Sequence, residues 1–433
     1  MQLTPTDPTD PASTSSPIVR RLCAAACLLL ASSAAAGAAP APAPMPVPTN
    51  ETRTRYDVSG LLYAEQARTT IAEPLARITK LFPDGQTLSM QFALDVMTGA
   101  SPTGANPSGV AQTTTSASGT TKTVAADAIP TASFKDMRGA LDLEYERPLG
   151  RWTPAGSVHF SREKDYQSFG GGAKLSIDVD ERRSTFTIGG GANHDRVFPQ
   201  GGIRRGLSSS TRSLADGAGK DVRTGLLGTS RVLTRRWLAA VNVSRTWENG
   251  FLTEPYKVVS IVNRTTGLTT GELNEKRPDT RLRTSVLVNS NYHLTRDVVY
   301  ASYRYYWDDW NIRSHTIDLR YRVEPGAVSW LEPHVRFYSQ SAAEFFHPGL
   351  RSGDPLPAFA SADRRLGQLR TITLGATYGF KLPGQPGEFT VRGEYMGQFG
   401  KGHPAEAVGV QRDFDLAPAL NVGSIVFGWT FER

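Results

Sequence analysis

From residue 55 onward, apolar and polar side chains alternate along the chain with a period of two. In segment 88–96, apolar leucine, methionine, phenylalanine and valine alternate mainly with serine, glutamine and aspartate. Segments 141–146, 299–308 and 317–323 repeat the pattern. Successive side chains of a strand point to opposite faces, so these segments are predicted to be β-strands with one apolar and one ionic face. The longest extend to about ten residues, the length that a tilted membrane-spanning strand needs.

Short and long connections alternate between the predicted strands. Tight turns are predicted at residues 82–85, 148–151, 180–183, 233–236, 294–296, 323–326 and 383–387. Long connections are predicted near 99–135, 196–220, 250–279, 347–366 and 400–421. The seven turns pair fourteen strands, and further strands near 55–65 and 424–431 complete the set.

These observations predict an all-β fold, a single closed antiparallel transmembrane barrel of about sixteen strands, with fourteen or eighteen as alternatives. Short turns and both termini are predicted on the periplasmic side, with the long connections outside, because outer-membrane barrels show that asymmetry. Near the carboxyl end, Ile425, Phe427, Trp429 and Phe431 alternate with smaller or polar residues. This segment resembles the aromatic terminal strand that the barrel-assembly machinery recognises, and an ordinary edge strand is the alternative. Outer-membrane lipid and that machinery are the predicted partners.

The first 39 residues are predicted to be a signal peptide. Arg20 and Arg21 precede a short apolar stretch, and a small-residue cleavage pattern places cleavage near Ala36–Ala39. Export through the Sec pathway is favoured, because the residues that flank a twin-arginine motif are missing. Residues 40–52 are predicted to be an Ala/Pro-rich periplasmic tether, and residues 53–433 the barrel in a bacterial outer membrane.

Composition excludes several kinds of site. Both cysteines, Cys23 and Cys27, lie in the predicted signal peptide. The mature chain would therefore have no disulfide, thiolate metal site, c-type haem attachment or cysteine nucleophile. The chain has 48 Lys and Arg against 41 Asp and Glu, a net charge of +7. These charges are interspersed rather than clustered, so no nucleic-acid partner is predicted.

Several dense motifs resemble an uncharacterised bacterial family, the domain of unknown function DUF3570. The matching stretches are residues 95–105, 161–166, 250–257, 275–281, 303–316 and 333–346. The resemblance implies an exported protein that forms an outer-membrane barrel. The family carries no agreed activity, so the resemblance implies location and architecture rather than mechanism.

Acidic, basic and aromatic residues gather at the strand ends beside the outer connections, and others lie on the lumen side. They are predicted to converge on one mouth of the barrel and its lumen. The candidate binding residues are Glu163, Asp165, Tyr166, Asp195, Glu254, Tyr256, Arg304, Asp308, Asp309, Trp310, Arg320, Arg336 and Gln340. The connection Asp308-Asp309-Trp310-Asn311 is short enough to fold inward and build part of a pocket.

Three interpretations of these residues stay open. In the first, the aromatics form a girdle and the polar side chains form lumen ladders that satisfy one another. In the second, a small solute of unknown identity binds or passes through a lumen lined by arginines, which acidic residues partly neutralise: Arg281, Arg283, Arg304, Arg320, Arg322 and Arg336 against Asp142, Glu144, Glu146 and Asp318. In the third, carboxylates at the mouth hold a divalent cation such as Ca²⁺ or serve an enzyme. Those carboxylates are Glu163, Asp165, Asp195, Asp308 and Asp309, with Asp308 and Asp309 as the candidate metal ligands.

No catalytic residue is assigned, no cofactor other than Ca²⁺ is considered, and an enzyme is the less favoured class. The chain has no EF-hand spacing, no His-Glu-x-x-His and no Gly-x-Ser-x-Gly motif. His159 and His334 fall on the lumen side of their strands, and Ser161 lies two residues from His159. A membrane-embedded hydrolase would require a Ser, a His and a carboxylate within hydrogen-bond reach. His315 falls on the lipid side of its strand.

Overall fold

The computed structural model describes residues 51–66, 68–108, 111–115, 121–326 and 328–433. The predicted signal peptide and nearly all of the predicted tether lie outside this part of the chain. Within it, helical structure is limited to two 3-10 turns, Arg364–Leu366 and Gly409–Arg412. Neither these turns nor any other described helix has the length and apolarity to cross a membrane.

Sixteen strands form a closed barrel, as predicted. They are β1 (Arg53–Glu65), β2 (Thr69–Leu81), β3 (Thr87–Pro102), β4 (Thr131–Glu146), β5 (Trp152–Arg162), β6 (Tyr166–Val179), β7 (Ser184–Val197), β8 (Ala218–Thr234), β9 (Trp237–Gly250), β10 (Thr280–His293), β11 (Val298–Asp308), β12 (Arg313–Arg322), β13 (Ser329–Gln340), β14 (Leu369–Phe380), β15 (Glu388–Gly400) and β16 (Leu420–Glu432). Each strand pairs antiparallel with the next, and β1 closes the barrel against β16, with Arg55 opposite Glu432.

The two ends of the barrel differ as the sequence predicts. All seven predicted tight turns lie at one end, called here the turn end, together with both ends of the barrel sequence. The opposite end, called the loop end, carries the five long connections and three short ones. The longest predicted connection is shorter than expected, because its two edges continue β3 to Pro102 and start β4 at Thr131. There the backbone gains cross-strand hydrogen bonds that a loop would lack.

Burial is inverted relative to a soluble protein. On β3, Phe92 points outward and is 51 % exposed, whereas its neighbour Gln91 points inward and is 3 % exposed. The same alternation of exposed apolar and buried polar side chains runs around the barrel. Because an apolar exterior is stable only against lipid, this is the arrangement of a transmembrane barrel.

Aromatic rings form a stacked row on the outer surface near the turn end. Trp429 on β16 stacks on Phe431, with ring centres 4.2 Å apart, and on Phe389 at 5.5 Å. Tyr56 extends the row to β1, 4.9 Å from Phe431. This row corresponds to the aromatic girdle of membrane barrels, so the terminal segment contributes to the membrane boundary as well as to barrel closure.

The lumen wall combines ion pairs with a smaller apolar patch. His334 bridges Asp318 and Glu394 at 2.6 and 2.8 Å, and Arg320 reaches Glu332 at 3.2 Å. The apolar patch lies across β1–β4 and β16 and consists of Leu61, Leu75, Ala93, Ala140 and Val426. His159, His334 and Arg320 lie on the lumen side of their strands, as predicted.

At the loop end, several connections pack together into a folded layer. Strand Val258–Val262 pairs with Thr269–Asn274 and also with Leu350–Arg351 of a distant connection. The amide of Gln411 donates to the carbonyl oxygens of Pro107 and Gly267, at 3.1 and 2.8 Å. We call this layer the loop cap, formed by residues 103–108, 251–279, 309–312, 341–368 and 401–419.

Candidate functional site

Three carboxylates meet where β4 approaches the tight connection between β5 and β6. Asp136, Glu163 and Asp165 each offer an oxygen atom, and these atoms lie within 4.8 Å of one another. The hydroxyl of Tyr256 in the loop cap donates to Asp165 Oδ2 at 2.6 Å. Burial, followed by the charges of Asp136 and Asp165, raises the pKa of Glu163 to about 7. This mouth cluster could hold a hard divalent cation such as Ca²⁺.

Asp195 forms a separate ion pair beside the mouth cluster, and the ring of Tyr166 lies against the basic partner of that pair. Asp195 is fully buried, accepts a hydrogen bond from Ser168 Oγ at 2.7 Å and pairs with Lys220 Nζ at 3.2 Å. The Lys220 ammonium also lies 5.8 Å from the centre of the Tyr166 ring. The charge of Asp195 is therefore already balanced by a basic side chain.

Asp308 and Asp309, the predicted ligand pair, accept hydrogen bonds from different partners. Asp308 Oδ2 accepts hydrogen bonds from Arg281 and Tyr306, and its Oδ1 accepts the backbone amide of Ile312 at 2.8 Å. The exposed side chain of Asp309 accepts the backbone amide of Leu282 at 2.9 Å. These contacts use both oxygen atoms of Asp308 and Oδ1 of Asp309.

Trp310 folds inward, as the sequence suggests. Its side chain is 4 % exposed, meets Phe345 edge-to-face at 5.0 Å, and donates through Nε1 to the carbonyl oxygen of Thr280 at 2.9 Å. The Arg281 guanidinium lies 4.2 Å from the centre of the indole ring. Trp310 therefore anchors the loop cap to the barrel rim.

Glu254 belongs to a buried ion network that sequence analysis did not find. The network consists of Glu254, Lys257, Glu275, Arg277, Asp363 and Arg365. Arg277 reaches Glu275 at 2.6 Å and Asp363 at 2.8 Å, which connects two connections that lie far apart in the chain. Three acidic and three basic groups balance, so the network is neutral as a whole.

Neighbouring charges set the ionisation of this network. Burial alone would raise the pKa of Asp363, but Arg365, Lys257 and Arg277 hold it well below its usual range. Burial raises the pKa of Glu275, and Arg277 opposes that rise. Asp363 is therefore ionised and balances the positive charges of Arg277, Arg365 and Lys257.

The remaining candidates lie on the lumen side of β11–β13. Gln340 Nε2 donates to the carbonyl oxygens of Arg365 and Gly367, at 2.9 and 2.7 Å, and so holds the 3-10 turn of the loop cap. Arg304 on β11 and Arg336 on β13 lie on either side of β12. They are offset by two residues along it, because Arg304 faces Thr316 and Arg336 faces Asp318. Arg320 lies closer to the turn end.

Apart from Arg320, the candidates form several sites around one mouth. Glu163, Asp165 and Tyr256 meet in the mouth cluster, and Glu254 joins the buried network. Sequence reasoning missed Glu275, Arg277, Asp363 and Arg365. The available signal was the density of charge in segments 275–277 and 363–365. Charged residues are rarely buried unless they are paired, so such segments need oppositely charged partners if their loops pack together.

A Ser-His-Asp array occurs on the lumen wall near the loop end. Asp142 Oδ1 lies 2.6 Å from His159 Nδ1, and His159 Nε2 lies 3.3 Å from Ser161 Oγ. The register explains the array. Asp142 on β4 lies directly opposite His159 on the adjacent strand β5, and Ser161 follows two residues later on the same face of β5. Ser161 has no exposed surface, whereas His159 is 5 % exposed. These are the groups and the order that nucleophilic catalysis by serine requires.

Comparison with known proteins places the chain in a family. The family model "Protein of unknown function (DUF3570)" matches residues 19–431. The chain belongs to DUF3570. The resemblance seen in its motifs is therefore confirmed over nearly the whole sequence. No match was found among the curated proteins.

Several solved structures are similar to this DUF3570 chain. CdiB from Acinetobacter baumannii is 8% identical with a TM-score of 0.43, over 87% of this chain and 60% of CdiB. The outer membrane protein OpdK from Pseudomonas aeruginosa is 8% identical with a TM-score of 0.40, over 88% and 99%. BamA from Haemophilus ducreyi, lacking POTRA domains 1–3, is 11% identical with a TM-score of 0.40, over 88% and 71%.

Proposed function

We propose that this protein is an outer-membrane barrel that binds or passes a small polar solute beneath its loop cap. The loop cap carries the proposal. A barrel that only had to insert in a membrane would need no folded layer of distant connections, and no buried charge network within that layer. The apolar exterior supports the membrane location, and the charged lumen supports a polar rather than an apolar solute.

The arginines of the lumen wall provide the test of solute passage. Arg304 on β11 and Arg336 on β13 lie on either side of β12, offset by two residues, so both would act on an ion that enters this part of the lumen. In planar bilayers, the purified barrel should give discrete conductance steps. The double variant Arg304→Gln, Arg336→Gln should lower the preference for chloride over potassium, measured by the reversal potential across a KCl gradient.

The matched control is Arg223→Gln, because Arg223 lies on β8 with its side chain exposed on the outer surface. This variant should keep the wild-type reversal potential. A barrel that is folded by its heat-modifiable migration and shows no conductance steps would count against passage. If the barrel also fails to bind any small polar solute, the proposal as a whole is wrong.

A second candidate function is serine-dependent hydrolysis at the Ser-His-Asp array. Ser161 would supply the nucleophile, His159 would accept its proton, and Asp142 would orient the imidazole. The geometry is that of a triad, but a reagent can reach Ser161 only if a neighbouring lumen side chain moves aside.

A fluorophosphonate probe distinguishes the triad from a structural ladder. A working triad should be labelled at Ser161, and His159→Gln should lower the labelling rate by a factor on the order of a hundred or more. Ser168→Ala is the matched control, because Ser168 faces Ser161 on the next strand and bonds to Asp195 rather than to a histidine. If a folded barrel is not labelled by the probe, the array is a structural hydrogen-bond ladder and not a catalytic triad.

A further inference from the structure

A basic cavity of about 110 Å³ lies between the barrel rim and the loop cap. Its walls include Arg68 from the short β1–β2 connection and Lys257, Arg364 and Lys401 from the loop cap. The acidic groups on the same walls are Glu65 and Asp363. Basic side chains thus outnumber acidic ones around a space that is large enough for a carboxylate or phosphate group.

The guanidinium of Arg364 is held at this cavity without a full set of partners. Its Nη1 atom is buried and has no hydrogen-bond partner within the part of the chain that the structure describes. The adjacent Asp363 does not serve as the acceptor, because its oxygen atoms already pair with Arg277 and Arg365. A buried donor that lacks an acceptor costs free energy, which an anion that reached it would offset.

Arg68 adds a second positive charge next to Arg364. Burial and the charge of Arg68 lower the pKa of Arg364 to about 10. Burial also lowers the pKa of Arg68. Two like charges in one poorly solvated place repel each other, and a negative group between them would favour the charged form of both.

The backbone fixes both arginines in place. The carbonyl oxygen of Arg68 accepts the amide of Ala100 at 3.0 Å. Gly99 permits this approach, because a Cβ atom there would lie 2.3 Å from the same carbonyl oxygen. On the other wall, Asp363 caps the 3-10 turn Arg364–Leu366 through the amide of Arg365 at 3.1 Å. The cavity is therefore built from anchored segments.

Two other charged groups of the cavity, Lys257 and Glu65, are already engaged. Lys257 Nζ donates to Ser101 Oγ at 3.0 Å, and Glu65 accepts the hydroxyl of Tyr63 at 2.9 Å. Arg68 and Arg364, with the exposed Lys401, make the space that remains basic.

We propose that Arg68 and Arg364 form a binding site for the carboxylate or phosphate group of a small anionic solute. Guanidinium groups recognise these oxyanions through paired, charge-assisted hydrogen bonds. The site would be one place beneath the loop cap where a solute is held, so the proposal rests on the proposed function and adds the chemical class of the solute.

The test is oxyanion binding by the full barrel in nanodiscs of zwitterionic lipid. Inorganic phosphate and acetate should each raise the melting temperature, and Arg364→Met should increase their dissociation constants at least about tenfold, the effect of losing one charge-assisted bond. Without added anion, Arg364→Met should be no less stable than the wild type, because it removes a buried, repelled charge. Arg68→Met provides a second variant and should weaken anion binding in the same way.

Arg212→Met is the matched control, because Arg212 is an exposed arginine at the loop end that does not line the cavity. It should bind phosphate as the wild type does. Nanodiscs that contain phosphatidylglycerol distinguish a lipid headgroup from a free solute. If the headgroup is the natural occupant, this lipid should stabilise the wild type and block phosphate binding, with both effects lost in Arg364→Met.

Equal phosphate binding by wild type, Arg364→Met and Arg68→Met would overturn the anion site, as would the absence of any oxyanion binding. If conductance steps persist in that case, the anion site is wrong and the proposed function stands. If neither binding nor conductance is found, both fail.

Discussion

Replacing Asp363 with Ala should destabilise the loop cap by about 3–5 kcal/mol while the barrel remains closed. Asp363 is 4 % exposed and pairs with both Arg277 and Arg365. Without it, two guanidinium groups stay buried beside Lys257 with only Glu254 and Glu275 to balance them. Breaking a buried ion pair from one side costs more than the pair itself contributes, because the remaining charge is left in a poor solvent.

Hydrogen exchange of the loop-cap amides would measure this change, and heat-modifiable migration would report whether the barrel is intact. Asp354→Ala is the control, because Asp354 forms a more exposed ion pair with Arg264. Exposed pairs contribute about 0–1 kcal/mol, so the control should exchange almost as the wild type does. Equal protection in both variants would mean that the network does not hold the loop cap together.

Replacing Leu227 with Arg should lower the stability of the barrel in a phospholipid bilayer by about 2–4 kcal/mol. Leu227 lies near the middle of β8, 59 % exposed, between outward Val243 and Ile188 on the neighbouring strands. In water, an exposed leucine could be changed to arginine within about 0.5 kcal/mol, because neither side chain would lose its solvent. A large loss of stability is thus specific to a lipid-facing position.

Urea unfolding of barrels refolded into vesicles gives the two free energies of unfolding. Leu214→Arg provides the control, since Leu214 is 66 % exposed on the short loop-end strand Ser213–Ala215. It lies beyond the apolar surface of the barrel wall, so its replacement should have little effect. Leu227→Arg and Leu214→Arg would have similar effects if the outer surface of the barrel faced water.

Most of the side-chain contacts at the loop end could not be predicted from the sequence, but the different orientations of Asp308 and Asp309 could have been. Asp308 and Asp309 are consecutive, and consecutive positions at the end of a strand place their side chains on different sides. The strand pattern alone therefore directs these two side chains to different sides of the wall. By contrast, the same pattern gave His159 and Ser161 a common face, and the structure adds Asp142 from the neighbouring strand.

The Arg68 and Arg364 cavity shows why the rest could not be predicted. Almost three hundred positions separate these arginines, yet they line one space because barrel closure brings β1 beside β16 and the loop cap folds over the rim. The same holds for Glu275 and Asp363, which reach Arg277 from two connections. No periodic pattern encodes such contacts, since each depends on how separate loops pack.

The sequence by itself determined the number of strands, the places of the tight turns, the polarity of the two wall faces and the family. These properties are local, because side-chain alternation and turn residues act over a few neighbouring positions. Only the tertiary structure decided which charges are paired, which are buried, and where the loop cap leaves a cavity. Those outcomes depend on long-range packing, in which the charge of one connection is balanced or left exposed by residues far away in the chain.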